Sequence, residues 1–148
     1  MKAILRDGVT VFLMSLPIFL GVAQAQDKEP NCNEHPKLLK DNEGKPVRFG
    51  HKKLKERATN CETVKLPGLV DAKGQVLVQI LVGPSGAVEC AQAISGHPLA
   101  RKYAQDTARK WTFKPLMEKG EKVAFIGILV LYVSWDYAEA KKKQCGKE

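Results

Sequence analysis

Apolar residues recur at two different periods along this chain, and the change of period marks the elements. In "QVLVQILV", Val76, Val78, Ile80 and Val82 alternate with Gln75 and Gln79, the period of two expected of a strand. The turn-forming "GPSG" (residues 83–86) follows, and then "AVECAQAI" reads as a second strand with Val88, Cys90 and Ile94 on one face. A four-residue link makes the two an antiparallel hairpin. Beyond "SGHPL" the spacing becomes three and four: Leu99, Ala100, Tyr103, Ala104, Thr107, Ala108 and Trp111 form a stripe, with Arg101, Lys102, Asp106 and Arg109 around it. This predicts an amphipathic helix lined mainly by alanine, small enough to lie close on a sheet. Pro115 ends the helical geometry by restricting Lys114. After a loop at Gly120, "VAFIGILVLYVSWDY" (residues 123–137) is rich in β-branched and aromatic residues and predicts a long strand. Upstream, residues 27–50 are polar and turn-rich with a short extended piece at 47–49. "HKKLKERATN" suits one or two helical turns with Leu54 and Ala58 inward, and Pro67 and Gly68 end it.

The elements compose an α+β fold: a small antiparallel three-stranded sheet with one main helix, in the sequence strand-strand-helix-strand, plus an N-terminal extension. A right-handed crossover gives the order 2-1-3 and leaves the third strand at an edge with one side unpaired. Both faces of that strand are apolar: Leu131 and Val133 continue to Trp135 and Tyr137, while Ile126, Ile128, Val130 and Tyr132 form the alternate set. The helix can cover one face, so the cysteine-tethered N-terminal segment or a partner must cover the other. Trp111 and Phe113 plug the gap between helix end and sheet.

The first residues are of another kind. Lys2 and Arg6 precede 15 uncharged residues, Val9 to Ala23, and Ala23-Gln24-Ala25 has the small-x-small form of a cleavage site. A spanning helix needs about 20 apolar residues. Residues 1–25 are therefore expected to be a signal peptide, residues 26–65 an N-terminal extension with a short helix, 66–137 the compact domain and 138–148 a basic C-terminal tail. A membrane contact is expected only if the signal segment is retained.

The chain has a formal charge of +8; loss of Lys2, Arg6 and Asp7 leaves 22 basic and 15 acidic side chains, or +7. Export removes nucleic acid as a partner, so the charge, including Lys52-Lys53-Lys55 and Lys141-Lys142-Lys143, reads as solvated surface or as attraction to an anionic envelope surface. Four cysteines, Cys32, Cys61, Cys90 and Cys145, in a short exported chain imply two disulfides. Three connectivities are possible; Cys32 with Cys145 would tie the two tails, and Cys61 with Cys90 would pin the N-terminal segment to the sheet. The cysteines have neither CxxC spacing nor a histidine pair beside them, so no metal is expected.

Catalytic signatures are missing: the sequence contains no GxSxG, HExxH or Walker loop, and no cofactor or enzymatic activity is expected. His35 and His51 sit in polar segments and read as solvated side chains. His97 has a defined setting in Ser95-Gly96-His97-Pro98: Gly96 bends the chain, His97 or Ser95 caps and Pro98 opens the helix, a structural corner.

These residues, taken in order, carry a resemblance. "GQVLVQILVGPSGAVECAQAISGHPLARKYAQDTARKWTFKP" followed by "GEKVAFIGILVLYV" resembles the C-terminal domain of the TonB energy-transducer family over roughly residues 66–135. The marks are the glycine-led strand, Gly86-x-Val88, Ser-Gly-His-Pro-Leu, the alanine-rich helix and Trp111-x-Phe113-x-Pro115. Full transducers keep a membrane helix and a long Pro-rich spacer; residues 26–65 are short and poor in proline, and Leu66-Pro67 stands where Tyr-Pro is usual. The resemblance implies a free-standing, exported, periplasmic or secreted protein-binding domain without enzymatic activity. It would capture an extended partner segment on its last strand, at Val123, Phe125, Ile126, Ile128, Val130, Tyr132 and Trp135. The same edge could pair with itself in a homodimer. A membrane-anchored energy transducer for outer-membrane transport is the alternative.

Overall fold

The computed structural model describes residues 31–68 and 72–146; the apolar run Val9–Ala23 and the cleavage motif lie outside them. In chain order the elements are β1 (Arg48–Phe49), α1 (His51–Arg57), β2 (Ala58–Asn60), β3 (Gly74–Val82), β4 (Val88–Ser95), α2 (Pro98–Ala108), β5 (Thr112–Phe113), β6 (Leu116–Glu118), β7 (Glu121–Val123), β8 (Phe125–Val133) and α3 (Tyr137–Cys145).

The main sheet has the order β1-β8-β3-β4. The hairpin β3–β4 and the placing of the last strand beside β3 follow the 2-1-3 expectation, with β8 and β3 antiparallel from Gly74↔Val133 to Val82↔Phe125. The sheet has four strands where three were expected. The fourth, β1, runs parallel to β8 (Arg48↔Ile126, Phe49↔Gly127) and closes the edge expected to stay unpaired. Two residues of β pairing carry too little periodicity to be read as a sheet member.

Three further corrections concern element bounds and faces. The long apolar stretch does not remain one strand to Tyr137: β8 ends at Val133, Trp135 is exposed beyond it, and residues 137–145 form a helix. Val88 does not share a face with Cys90 and Ile94. The β3–β4 register shifts between Leu81↔Cys90 and Val82↔Val88, leaving Glu89 as an extra residue, so Val88 meets the helix-side core and Cys90 the opposite face. Leu99, assigned to the helix stripe, is exposed.

The larger core lies between the sheet and α2. Val76, Val78, Ile80 and Val82 of β3 meet Phe125, Leu129, Leu131 and Val133 of β8, and Ala100, Ala104 and Ala108 of α2 lie directly over them. Trp111, just past α2, is fully buried, and its indole N–H donates to the Glu62 carbonyl at 2.9 Å. Short α1 lies over β8, where Gly127 makes room: a Cβ there would come within 2.5 Å of a Leu54 methyl. Leu54 is itself fully buried.

The opposite face carries a second, smaller cluster of Cys32, Leu38, Leu81, Cys90, Ala124 and Ile126. The tethered N-terminal segment thus covers part of the second face, one of the two solutions expected. The tether differs in its pairing, however. The disulfides are Cys32–Cys90, with Cα atoms 5.5 Å apart, and Cys61–Cys145, at 5.9 Å. Cys90 faces the side crossed by the N-terminal segment, and α3 returns its last residue to Cys61. The pairing of the two tails is excluded by these positions.

Candidate functional site

The last strand is the place to look for a binding edge, and its outer side is closed from within the chain. Near its start, the Leu39 N–H donates to the Ala124 carbonyl at 2.9 Å, and the Ala124 N–H donates to the Lys37 carbonyl at 3.0 Å. The Ile126 N–H then donates to the Val47 carbonyl at 3.2 Å. This half is sealed by main chain, held in place by Cys32–Cys90 and by a 3.0 Å contact of His35 Nε2 with Glu89.

The far half is closed differently. The Val130 N–H donates to His51 Nδ1 at 3.2 Å. The Tyr132 N–H donates to Gln144 Oε1 at 2.7 Å, and Gln144 Nε2 donates to the Val130 carbonyl at 3.2 Å. One side-chain amide, fully buried, therefore takes both bonds that a neighbouring strand's peptide group would make. The bond to His51 requires an Nδ1 without its proton. Burial, aided by the nearby Lys55 charge, lowers the His51 pKa below the usual histidine value of 6.5 and favours that form.

Both caps are held by helices. His51 opens α1, whose Lys55 and Arg57 occupy its last turn. Gln144 sits at the end of α3. Asp136 starts that helix by accepting from the Ala138 and Glu139 N–H groups at 2.9 and 3.1 Å. Glu139 bonds Lys143 one turn on at 2.7 Å and meets Lys73 at 3.4 Å, and these cations hold its carboxyl below the usual range. Between α1 and the end of α3 lies an open cleft of about 530 Å³, lined among others by Lys52, Lys55, Trp111, Cys61, Gln144 and Cys145.

The expected edge residues are brought together only in part. Phe125 points into the main core, 5.1 Å from the Phe49 ring and 6.5 Å from the Phe113 ring, and Ile126 joins the second cluster. Ile128, Val130 and Tyr132 are half-buried on the second face. Val123 lies in β7, outside the main sheet, and Trp135 lies past the strand's end. The corner residues stand where the sequence places them. Gly96 has φ +118° and packs so tightly on β3 that a Cβ would lie 2.8 Å from the Val76 Cα. His97 holds the N-cap position and Pro98 follows it, but the His97 side chain makes no bond to the helix amides, against the expected cap.

His51 and Gln144 are the residues that the sequence reading missed. His51 resembles a solvated histidine because its partner is a backbone amide 79 residues away. Gln144 was hidden by treating residues 138–148 as a tail. Yet "DYAE" carries a helix start with an acid at the third position, and Glu139 is four residues before Lys143, a readable signal.

Residues 70–133 match the family described as Gram-negative bacterial TonB protein C-terminal. This stretch is similar to TonB C-terminal domains. It covers β3 through β8, so the two devices that close the outer edge, the segment before residue 70 and α3, lie outside the matched region. Among curated proteins none matches the chain. TonB C-terminal domains are non-enzymatic protein-interaction domains of the periplasm, a compartment that suits two disulfides. Among the described residues no helix is long and apolar enough to cross a membrane.

Proposed function

We propose that this chain is an exported, non-enzymatic adaptor that takes an extended partner segment along β8 at Ile128–Val133. The observation that carries the reading is the unequal closure of the strand. Main chain seals Ala124–Gly127, whereas Val130 and Tyr132 are held by two side chains that an incoming peptide backbone can replace bond for bond. Half-buried Ile128, Val130 and Tyr132 supply alternate side chains for a partner strand to pack against. The partner segment is expected to be short, because the sealed half of the edge offers it no backbone groups.

A photo-reactive residue at Tyr132, with one at exposed Lys102 on α2 as control, tests this in intact cells. Adducts mapping to one extended segment from position 132, and none from 102, are expected. A synthetic peptide of the mapped segment should bind the purified chain, and Val130→Pro, which removes the outward N–H, should abolish that binding. Peptide binding that survives Val130→Pro rules out strand addition here. Export itself is tested by N-terminal sequencing of the protein from the envelope: a start near Gln26 is expected, and an intact residue 1–25 segment favours the anchored transducer.

A further inference from the structure

The two disulfides differ in exposure, and the difference falls on the closed edge. Cys32 is fully buried and Cys90 nearly so. Cys61 and Cys145 are half-buried and line the open cleft beside α1. Cys145 adjoins Gln144, whose amide closes Val130 and Tyr132. Apart from this disulfide, α3 is held thinly. Ala140 and Gln144 are its buried residues, and among the described residues it is also tied by the contacts of Glu139 with Lys73 and Ser134, the Ser134 bond to the Asp136 N–H, the 3.7 Å contact of Thr63 Oγ1 with Cys145 Sγ and the Lys65 ammonium over the Tyr137 ring. A helix of nine residues has little stability without such anchorage.

We infer that Cys61–Cys145 is a redox latch: opened by a dithiol reductant, it frees α3, withdraws Gln144 from β8 and exposes the Tyr132 N–H and the Val130 carbonyl. This rests on β8 being the binding edge only for its consequence; the latch itself is a property of the free chain. In the reaction a dithiol's thiolate attacks one sulfur of Cys61–Cys145 to form a mixed disulfide. Its second thiol then closes an internal disulfide. The protein disulfide gains two electrons and two protons, giving two cysteine thiols, and the dithiol is oxidised by the same amount. Lys52 and Lys55 line the same cleft and make it electropositive, which favours an approaching or departing thiolate, whereas buried Cys32–Cys90 offers an attacking thiolate no comparable approach.

Hydrogen exchange read at single amides by NMR, on the oxidised full exported chain and across a dithiothreitol series, tests the latch without any partner. Alkylation with N-ethylmaleimide and peptide mapping follow the cysteines in the same samples. Cys61 and Cys145 should become alkylated while Cys32–Cys90 persists. At that point exchange at Tyr132 should rise about tenfold or more, with Val130, whose N–H is held by His51 on α1, and Leu129 and Leu131, whose amides face β3, unchanged. Gln144→Ala, with both disulfides intact, should release the Tyr132 amide in the oxidised protein. The latch is overturned if Cys32–Cys90 opens first or together with it, or if Tyr132 stays protected after reduction. It is equally overturned if all β8 amides exchange together, or if Gln144→Ala leaves Tyr132 protected. Should the latch open as expected and the reduced chain still bind no mapped partner peptide, the binding-edge reading fails and the latch stands.

Discussion

His51 shows how one residue couples burial, charge and a backbone bond. Its Nδ1 accepts from the Val130 N–H, and burial together with Lys55 holds the ring neutral below its usual pKa of 6.5. As pH falls below 6.5, the unfolded chain protonates this ring before the folded chain does. The ring's contribution to stability is therefore complete above that pH and declines below it until the folded ring also protonates. Protonation turns Nδ1 into a donor and breaks the bond. The Val130 amide nitrogen shift should follow the His51 ring through a single titration below 6.5, and His51→Phe should remove the step. A Val130 shift that stays flat through the ring's titration contradicts the account. Gly127 is the second informative residue. Its missing side chain admits Leu54, so Gly127→Ala overpacks the contact and should cost about 1–3 kcal/mol in urea unfolding. Leu54→Ala alone leaves a cavity costing about 2–5 kcal/mol. In the Gly127→Ala background it should cost clearly less, because the new methyl occupies part of that space; strict additivity would show that the two do not meet.

At the scale of elements, legibility follows periodicity. β3, β4, α2 and β8 each repeat an apolar pattern over eight or more residues, and the sequence shows their order and pairing. The elements that close the edge have no such repeat. β1 is two residues long and pairs with a strand 78 residues further on, as Arg48↔Ile126. α3 buries little beyond Ala140 and Gln144, so its apolar stripe is almost absent and its evidence is local capping chemistry instead. The disulfide pairing was illegible for a related reason: the bulge at Glu89 decides which face Cys90 presents, and α3 decides where Cys145 ends. The N-cap gives α3 a direct test. Asp136→Ala removes the acceptor for the Ala138 and Glu139 amides and should cost about 1 kcal/mol of local stability. Because α3 carries Gln144, the loss should appear as faster exchange at Tyr132, with α2 amides unaffected. Equal protection of Tyr132 in the variant means that the cap does not support the edge closure.

For the whole molecule, the two disulfides divide one strand edge between them. Cys61–Cys145 retains the helix that caps Val130 and Tyr132, and Cys32–Cys90 retains the segment that seals Ala124 and Ile126. The second bond is the more buried and anchors the smaller cluster of Leu38, Leu81, Ala124 and Ile126. Its removal therefore acts on two terms. The two cysteines are 58 residues apart, and releasing a loop of that size stabilises the unfolded chain by about 4 kcal/mol in the chain-entropy account. In the folded chain, the segment from Cys32 to Leu39 is otherwise held by Leu38, two backbone bonds at Ala124, the His35–Glu89 contact and the bonds of Arg48 and Gln79 to Asn33, ties that leave it open to local unfolding without the disulfide. Cys32→Ser with Cys90→Ser should lower the unfolding free energy measured in urea by an amount near that figure and should also deprotect Ala124 and Ile126, while Tyr132 remains protected by Gln144 on the α3 that Cys61–Cys145 retains, and Val130 by His51. The complementary pattern, deprotection at Tyr132 alone, belongs to loss of the other bond. A chain in which either double substitution deprotects the whole edge at once would show that the strand is closed by a single cooperative unit, and the division of the edge between two tethers would have to be abandoned.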